Sequence, residues 1–403
     1  MTRGTGKLAV LFFVGVLVLG AYFWGFQAGR SEARIVPIEG AYNLQEGKPE
    51  LVDFSLFWDA WRILQEKYAA KDSLDYQAMV EGAVAGMVKS LGDPYTVFMD
   101  AQETKIFRDD ISGSFEGVGI EIGIQNRELR VIAPLQGTPA QKAGLRAGDA
   151  IVRIEDTFTS DLTLEEVVSL IRGPRGTKVT LGILREGWLE PRDFTMARAV
   201  IEVPSLEWDI LEGNVAYIQL FQFSEKAGRD FARAANEVLQ SPADRIILDL
   251  RNNPGGFLEV AVDVAGWFLE RDQVVVLEDF GEKEKEQTYK ANGNGRLGSL
   301  PLVILLNQGS ASASEIVAGA LRDHKEVLLV GEKSFGKGSV QELEELSEDT
   351  SLKVTVANWL TPNGNHITNV GLSPDVRVEL TPEDFDQERD PQLDKALEII
   401  KNL

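Results

Sequence analysis

Five consecutive apolar residues, Leu302-Val-Ile-Leu-Leu306, run directly into a stretch with almost no side chains, Asn307-Gln-Gly-Ser-Ala-Ser-Ala-Ser-Glu315. A short run that is apolar on both faces is the pattern of a buried strand in a parallel sheet. The small residues that follow make a tight strand-to-helix turn. From Ala313 the pattern is helical, with Ile316, Val317, Ala320 and Leu321 on one face. Serines are thereby placed at a helix N-terminus, where free backbone N–H groups and the helix dipole favour negative charge. That position suits a nucleophile whose reaction generates an oxyanion.

A serine hydroxyl is a weak nucleophile and needs a base. The chain has two histidines, His324 and His366, and no cysteine. His324 lies on the same helix as the serines, 12 residues (324 − 312) beyond Ser312. That is roughly 18 Å along the axis, out of reach. His366 ends the turn-rich stretch Thr361-Pro-Asn-Gly-Asn-His366, a poor setting for a base. The remaining candidate is a lysine, and Lys337 stands between Gly336 and Gly338. A lysine acts as a base only if burial or a nearby cation lowers its pKa from about 10.4 towards neutrality. Ser–Lys pairs are a known form of the serine-nucleophile constellation. The plainer readings are close packing for the small residues and a surface position for Lys337. Ser310 and Ser314 compete with Ser312 as nucleophile, or simply cap the helix.

Gly309-Ser-Ala-Ser-Ala-Ser-Glu315, followed by Gly331-x-x-x-x-Gly-Lys-Gly-x-x-Gln341, resembles the carboxyl-terminal processing peptidases, also called tail-specific proteases. The resemblance covers nearly the whole chain after residue 50, including Gly92-Asp-Pro-Tyr-Thr96. It implies Ser312 as nucleophile, Lys337 as base 25 residues later (337 − 312), and Gln341 four beyond that. If the lysine segment is a strand, Lys337 and Gln341 share a face and the glutamine can orient the amine. Arg245-Ile-Ile-Leu-Asp-Leu250 is a buried strand running into Arg251-Asn-Asn-Pro-Gly-Gly256. The resemblance implies that this motif lines an oxyanion hole, with Gly255 or Gly256 donating beside Ala313; which glycine stays open. A phosphate loop is disfavoured because no Lys-Ser/Thr follows the glycines.

At 403 residues the chain holds two to four domains. A net charge of −22, from 63 acids against 41 bases, repels nucleic acid and anionic headgroups. Without cysteine there are no disulfides and no thiolate chemistry, and no metal-ligand spacing or cofactor motif occurs. Leu8 to Ala28 carries no charged side chain and matches a bilayer core of about 30 Å. Arg3 and Lys7 precede it, which favours a cytoplasmic N-terminus. A cleaved signal peptide is the rival, but the run is long for one and no good Ala-x-Ala site follows. Residues 1–30 are therefore expected to form a single-pass signal anchor and 31–50 a linker. The catalytic part then lies on the extracytoplasmic side, periplasmic or extracellular.

Residues 51–111 read as helical, with Phe54, Phe57, Trp58, Trp61, Leu64 and Tyr68 at three- and four-residue spacing and a second run from Tyr76 to Leu91. Residues 112–198 are rich in glycine and strand patterns, and Phe115 to Ile122 followed by Thr138 to Asp149 resembles a PDZ domain. Thr163 to Ile171 would be its second helix, entered through a Thr163–Glu166 capping box. Gly117-Val-Gly-Ile120 can offer successive N–H groups to a peptide's C-terminal carboxylate while the peptide adds as a strand. Arg172, just after that helix, is expected to help couple tail binding to turnover; the plainer reading is a solvated arginine. Residues 199–383 form the reaction core, with strands at 214–220 and 352–359 and a helix at 225–239. Residues 384–403 close the chain as a helix.

The expected fold is multidomain α+β: a helical N-terminal part, a β-rich PDZ domain and, as the resemblance implies, an α/β crotonase-like catalytic core. The expected function is that of a membrane-anchored, ATP-independent serine endopeptidase that cleaves extracytoplasmic proteins near their C-termini. Its partners would be proteins or peptides with apolar C-termini; a homo-oligomer is left open. The rival is a non-catalytic PDZ adaptor that only binds tails. Ser312, Lys337 and Gln341, all present, argue against it.

Overall fold

A computed structural model describes residues 52–403 apart from 126–127, 136, 161, 186, 282–284, 348, 382, 385–386 and 388. The expected anchor over residues 1–30 and linker over 31–50 lie outside the described residues. Among the described residues no helix is long and apolar enough to cross a membrane. The chain divides into two units, one ending at Asp75 and one running from Tyr76 to Leu403. In the first, the helix Ser55–Lys67 sets Phe57 edge to face with Trp58 and tilted against Trp61, with ring centroids 4.7 and 5.9 Å apart.

The second unit opens with the helix Tyr76–Lys89. The Asp93 carboxylate then folds the chain back by accepting from the Tyr95 N–H (3.0 Å) and Thr96 Oγ1 (2.6 Å). A short strand, Val97–Met99, leads into the helix Ala101–Ser112. That helix starts on a reciprocal Asp100–Glu103 capping box and stops at Gly113, whose φ of 79° suits glycine.

The β-rich part follows. Ser114–Gly117 pairs antiparallel with Ala199–Glu202, so entry and exit strands lie side by side. Between them six strands form one sheet around Val118, Val131, Ile151, Val167, Leu181 and Ile183. Its second helix, Leu164–Ile171, carries the Thr163–Glu166 capping box expected from the sequence.

The reaction core is a six-stranded sheet. Leu206–Leu211 is antiparallel to Val215–Leu220; Arg245–Asp249, Leu302–Leu306, Leu328–Gly331 and Val376–Arg377 then add in parallel. Alternate residues serve opposite faces, as the two-residue period requires. Ile246, Leu248 and Ile304 pack with Phe231, Val264 and Ile316 of three helices. Ile247, Val303 and Leu305 pack with Ala396 and Ile400 of the closing helix Pro391–Ile400. Each such side chain contributes roughly 1.5–3 kcal/mol on burial. This two-sided cover explains why the strands are apolar throughout. A second sheet is built on the long strand Ser351–Leu360, which takes Val97–Met99, Ser339–Glu345 and Val274–Asp279 as neighbours.

Candidate active site

The parallel strands Arg245–Asp249 and Leu302–Leu306 end side by side, and the turns that leave them are stitched together. Asn307 Oδ1 accepts from the N–H groups of Gly309 (2.9 Å) and Asn252 (2.8 Å). Ser310 Oγ donates to the Leu250 carbonyl at 2.8 Å, and Ser314 Oγ to the Asn253 carbonyl at 3.0 Å. A Cβ on Gly309 would lie 2.8 Å from Asn252 Cα, so the small residues here are a steric requirement. Ser310 and Ser314 are fully buried, whereas Ser312 between them is only part-buried. Ser312 is held at φ 55°, ψ −115°. A non-glycine residue there costs of order 1–3 kcal/mol. The geometry is that of a sharp strand-to-helix elbow that presents a hydroxyl at the top of a sheet.

The two glycines of the neighbouring turn differ. A Cβ on Gly255 would lie 2.8 Å from Ser312 Cβ and 3.0 Å from the Ala313 nitrogen. A Cβ on Gly256 would lie 2.2 Å from the Phe223 carbonyl oxygen. Gly255 donates its N–H to Asn253 Oδ1 at 2.9 Å. Among the described residues no acceptor takes the N–H of Gly256 or of Ala313.

Lys337 lies on a loop that a single carboxylate ties to the Ser312 helix. Glu315, fully buried, accepts at Oε2 from the N–H groups of Ser312 and Lys337, each at 2.9 Å. Its Oε1 accepts from Ser334 Oγ (2.5 Å) and the Gly336 N–H (2.8 Å). Burial pushes the Glu315 carboxyl above its ordinary value, and the four donors oppose that. The Lys337 amine is pushed below the ordinary lysine value, first by burial and then by the cation of Lys353, with Glu315 pulling the other way. Its Nζ lies 5.5 Å from the centre of the Tyr95 ring.

The condition attached to Gln341, that the lysine segment be a strand, is not met. Lys337 precedes the strand Ser339–Glu345, and the strand register shifts between Val340 and Gln341. The shared-face argument therefore does not apply. Gln341 Nε2 donates to the Ser339 carbonyl (3.0 Å) and Ser339 Oγ (2.7 Å). The histidines stay apart: His324 Nε2 lies 2.7 Å from the Val274 carbonyl, and His366 is exposed in a bridge to Leu360.

A second clamp holds the glycine turn from behind. Asp249, fully buried, accepts from Tyr217 Oη (2.6 Å) and from Arg251 Nη2 (2.7 Å). Arg251 reaches on to both carboxylate oxygens of Asp390, each at 2.8 Å, and to Gln392 Oε1 at 3.1 Å. Sequence reasoning missed Glu315 and this clamp. The signal for Glu315 was present, since a glutamate three residues after a helix-capping serine is a capping box.

In the β-rich domain, Gly117 ends one strand and Ile120 begins the next. Val118 is fully buried and its carbonyl accepts from the Ala140 N–H at 2.9 Å. The Gly119 carbonyl accepts from the Leu135 N–H at 3.0 Å, and Gly119 sits at φ 76° against Thr138. Arg172 lies instead where this domain meets the helix Ala101–Ser112. Its Nη2 donates to Asp110 Oδ1 at 2.7 Å, and its guanidinium stands 4.4 Å from the centre of the Phe115 ring.

Comparison with known proteins places this geometry. Residues 214–378 match peptidase family S41, 130–185 match a PDZ domain, and 17–104 match the N-terminal domain of the activating protease CtpB. A carboxy-terminal-processing protease of Bartonella bacilliformis is 41% identical over 313 residues, spanning 76% of this chain and 70% of its own length. A carboxyl-terminal-processing protease of Synechocystis is 37% identical over 349 residues, spanning 84% and 81%. Among solved structures, the photosystem II D1 C-terminal processing protease is 31% identical with a TM-score of 0.51, covering 81% of this chain and 92% of its own.

Proposed function

The chain belongs to peptidase family S41, the carboxy-terminal processing proteases, and is a serine-type peptidase; from that premise we propose that Ser312 and Lys337 are its nucleophile and base. The observation that carries this is the division of labour among three serines. The hydroxyls of Ser310 and Ser314 are buried and donated to carbonyls, while Ser312 is part-buried at the elbow. Lys337 Nζ, neutral, takes the Ser312 Oγ proton as Oγ bonds to the scissile carbonyl carbon. The carbonyl oxygen becomes an oxyanion received by the N–H groups of Ala313 and Gly256, neither of which has an acceptor among the described residues. Gly255, whose N–H serves Asn253, acts by giving room beside Ser312. The C–N bond then breaks and the lysine proton passes to the departing amine. A water deprotonated by Lys337 attacks the acyl carbon and frees Ser312, with no nucleotide consumed. Gln341, with Nε2 committed to Ser339, has its Oε1 left to accept from the Lys337 amine.

In this reading residues 112–198 bind the substrate's apolar tail, its carboxylate in the Gly117–Ile120 loop, and Arg172 couples tail binding to turnover. Residues 1–30 anchor the chain, and cleavage takes place outside the cytoplasm near the C-termini of proteins there. The test is cleavage of an unfolded protein with an apolar C-terminus, alongside labelling by a small fluorophosphonate. Ser312→Ala and Lys337→Ala should each remove both, since nucleophile and base act as a unit. Persistent labelling of Ser312→Ala, or its loss in Ser310→Ala or Ser314→Ala alone, overturns the assignment.

A further inference from the structure

We propose that Tyr95 is a positioning residue for this reaction: its ring receives the ammonium that Lys337 becomes as Ser312 gives up its proton. The inference rests on the Ser312–Lys337 reading above. Tyr95 belongs to Gly92-Asp-Pro-Tyr-Thr96, a motif with no other task in this reaction. The centre of its ring lies 5.5 Å from Lys337 Nζ, within the reach of a cation–π contact. Both residues are part-buried. Among the described residues Nζ makes no ion pair and no hydrogen bond, so the ring is the partner that faces it.

The backbone fixes both ends of the contact. The Asp93 carboxylate accepts from the Tyr95 N–H at 3.0 Å and from Thr96 Oγ1 at 2.6 Å. Thr96 Oγ1 accepts in turn from the Thr355 N–H at 3.0 Å, and the strand Val97–Met99 that follows pairs with Ser351–Lys353. At the other end the Lys337 N–H donates to Glu315 at 2.9 Å, and the Gly336 carbonyl accepts from the Asn369 N–H at 2.8 Å. The ring is therefore in place before the charge appears. In the step itself the proton leaves Ser312 Oγ for the Nζ lone pair, while the O–H electron pair forms the bond to the carbonyl carbon. Positive charge builds at Nζ, in front of the ring. An aromatic face attracts a cation without carrying a charge of its own. A carboxylate in this place would hold the lysine protonated from the start. The ring holds it more weakly, so the amine can be neutral before the step and stabilised after it. Among the described residues the charged groups acting on the amine are Lys353 and Glu315, and Asp93 acts on Lys353 in turn; none of them changes when Tyr95 is substituted.

The experiment is the rate of Ser312 labelling by a small fluorophosphonate as a function of pH, with the full-length chain. The wild-type rate should rise with pH to a plateau as Lys337 loses its proton. Removing the ring in Tyr95→Leu should lower the plateau about threefold and move the midpoint down by about 0.5 pH unit. The two changes cancel on the acid limb, where the lysine starts as the ammonium and the ring serves it before the step as well as during it. The loss is thus confined to high pH, which a merely structural role would not produce. Tyr95→Phe, which keeps the ring, should restore both midpoint and plateau. Tyr95→Met serves as a second ringless variant should the leucine fail to fold. An unshifted midpoint in the folded ringless variants, one loss factor at every pH, or a Tyr95→Phe that behaves like Tyr95→Leu overturns the proposal. Lys337→Ala separates the two readings. If it still labels at the wild-type rate, the dyad is wrong and the role of Tyr95 falls with it. If it is silent while Tyr95→Leu keeps the wild-type midpoint, only the role of Tyr95 falls.

Discussion

The junction that holds Ser312 and Lys337 and the junction between the PDZ domain and the helix Ala101–Ser112 are built from opposite materials. At the first, Glu315 is fully buried with four donors, and Arg251 and Asp249 pair with side-chain exposures of 10% and 0%. At the second, Arg172 and Asp110 pair at 19% and 49%, and Lys105 and Glu116 at 53% and 30%. Gln102 reaches Ser169 across the same border. Removing one partner of a buried, satisfied charge costs several kcal/mol. A solvent-exposed pair contributes about 0–1 kcal/mol. The contrast is one of cost: parting the more exposed pairs at the domain border costs less than breaking the buried clamps around Ser312.

The largest expected effect tests the fixed side. Glu315→Ala strands three N–H groups and the Ser334 hydroxyl and should destabilise the fold by about 3–5 kcal/mol, with loss of fluorophosphonate labelling. A denaturation midpoint equal to wild type would remove the idea that this carboxylate holds the site. Arg251→Met should follow at about 2–3 kcal/mol, less because Asp249 keeps Tyr217 Oη and the Arg251 N–H as donors. Its labelling rate should fall further than its stability predicts, since the glycine turn loses its support; equal losses would make the clamp structural only.

Acid titration gives a smaller effect with a defined sign. Burial alone would raise the Asp390 carboxyl, but the hydrogen bond from Arg251 and its other partners hold it below the ordinary range. Its contribution is complete above the unfolded value of about 3.9 and is lost as pH falls through the lower folded value. Urea melts between pH 2 and 5 should therefore be flatter for Asp390→Asn than for wild type. The smallest change in stability should come from Arg172→Ala, within about 1 kcal/mol. Tail-stimulated cleavage should nonetheless drop more than tail affinity, a split that measurements of both on one protein would expose. Unchanged turnover would leave Arg172 as a fastening and nothing more.

Much of the scaffold was legible because it obeys local periodicity. Leu302–Leu306 is a strand and Ala313 begins a helix, as the apolar pattern requires. The Thr163–Glu166 box could be read from two residues. The expected membrane anchor falls on residues outside those described. What could not be read is what tertiary pairing supplies. Tyr95 comes to Lys337 across 242 residues (337 − 95), with no pattern linking the two in the chain. Gln341 shows the converse, for a rule of period two was applied across a register shift that only the strand pairing reveals. The proposed choice between Gly255 and Gly256 rests on the Asn253 side chain, whose direction no motif specifies.

The pairing of Val97–Met99 with Ser351–Lys353 also sets a timetable for synthesis. The early strand leaves the ribosome 252 residues (351 − 99) ahead of its partner. At about 5–20 residues per second that is a wait on the order of 10–50 s. The strands of the PDZ sheet all fall between Ile120 and Ala197, so that domain can close on its own during the interval. The lysine loop cannot meet Tyr95 until the sheet that carries the turn is assembled. The strands of that domain can therefore all be made before the loop that carries Lys337 is held in place.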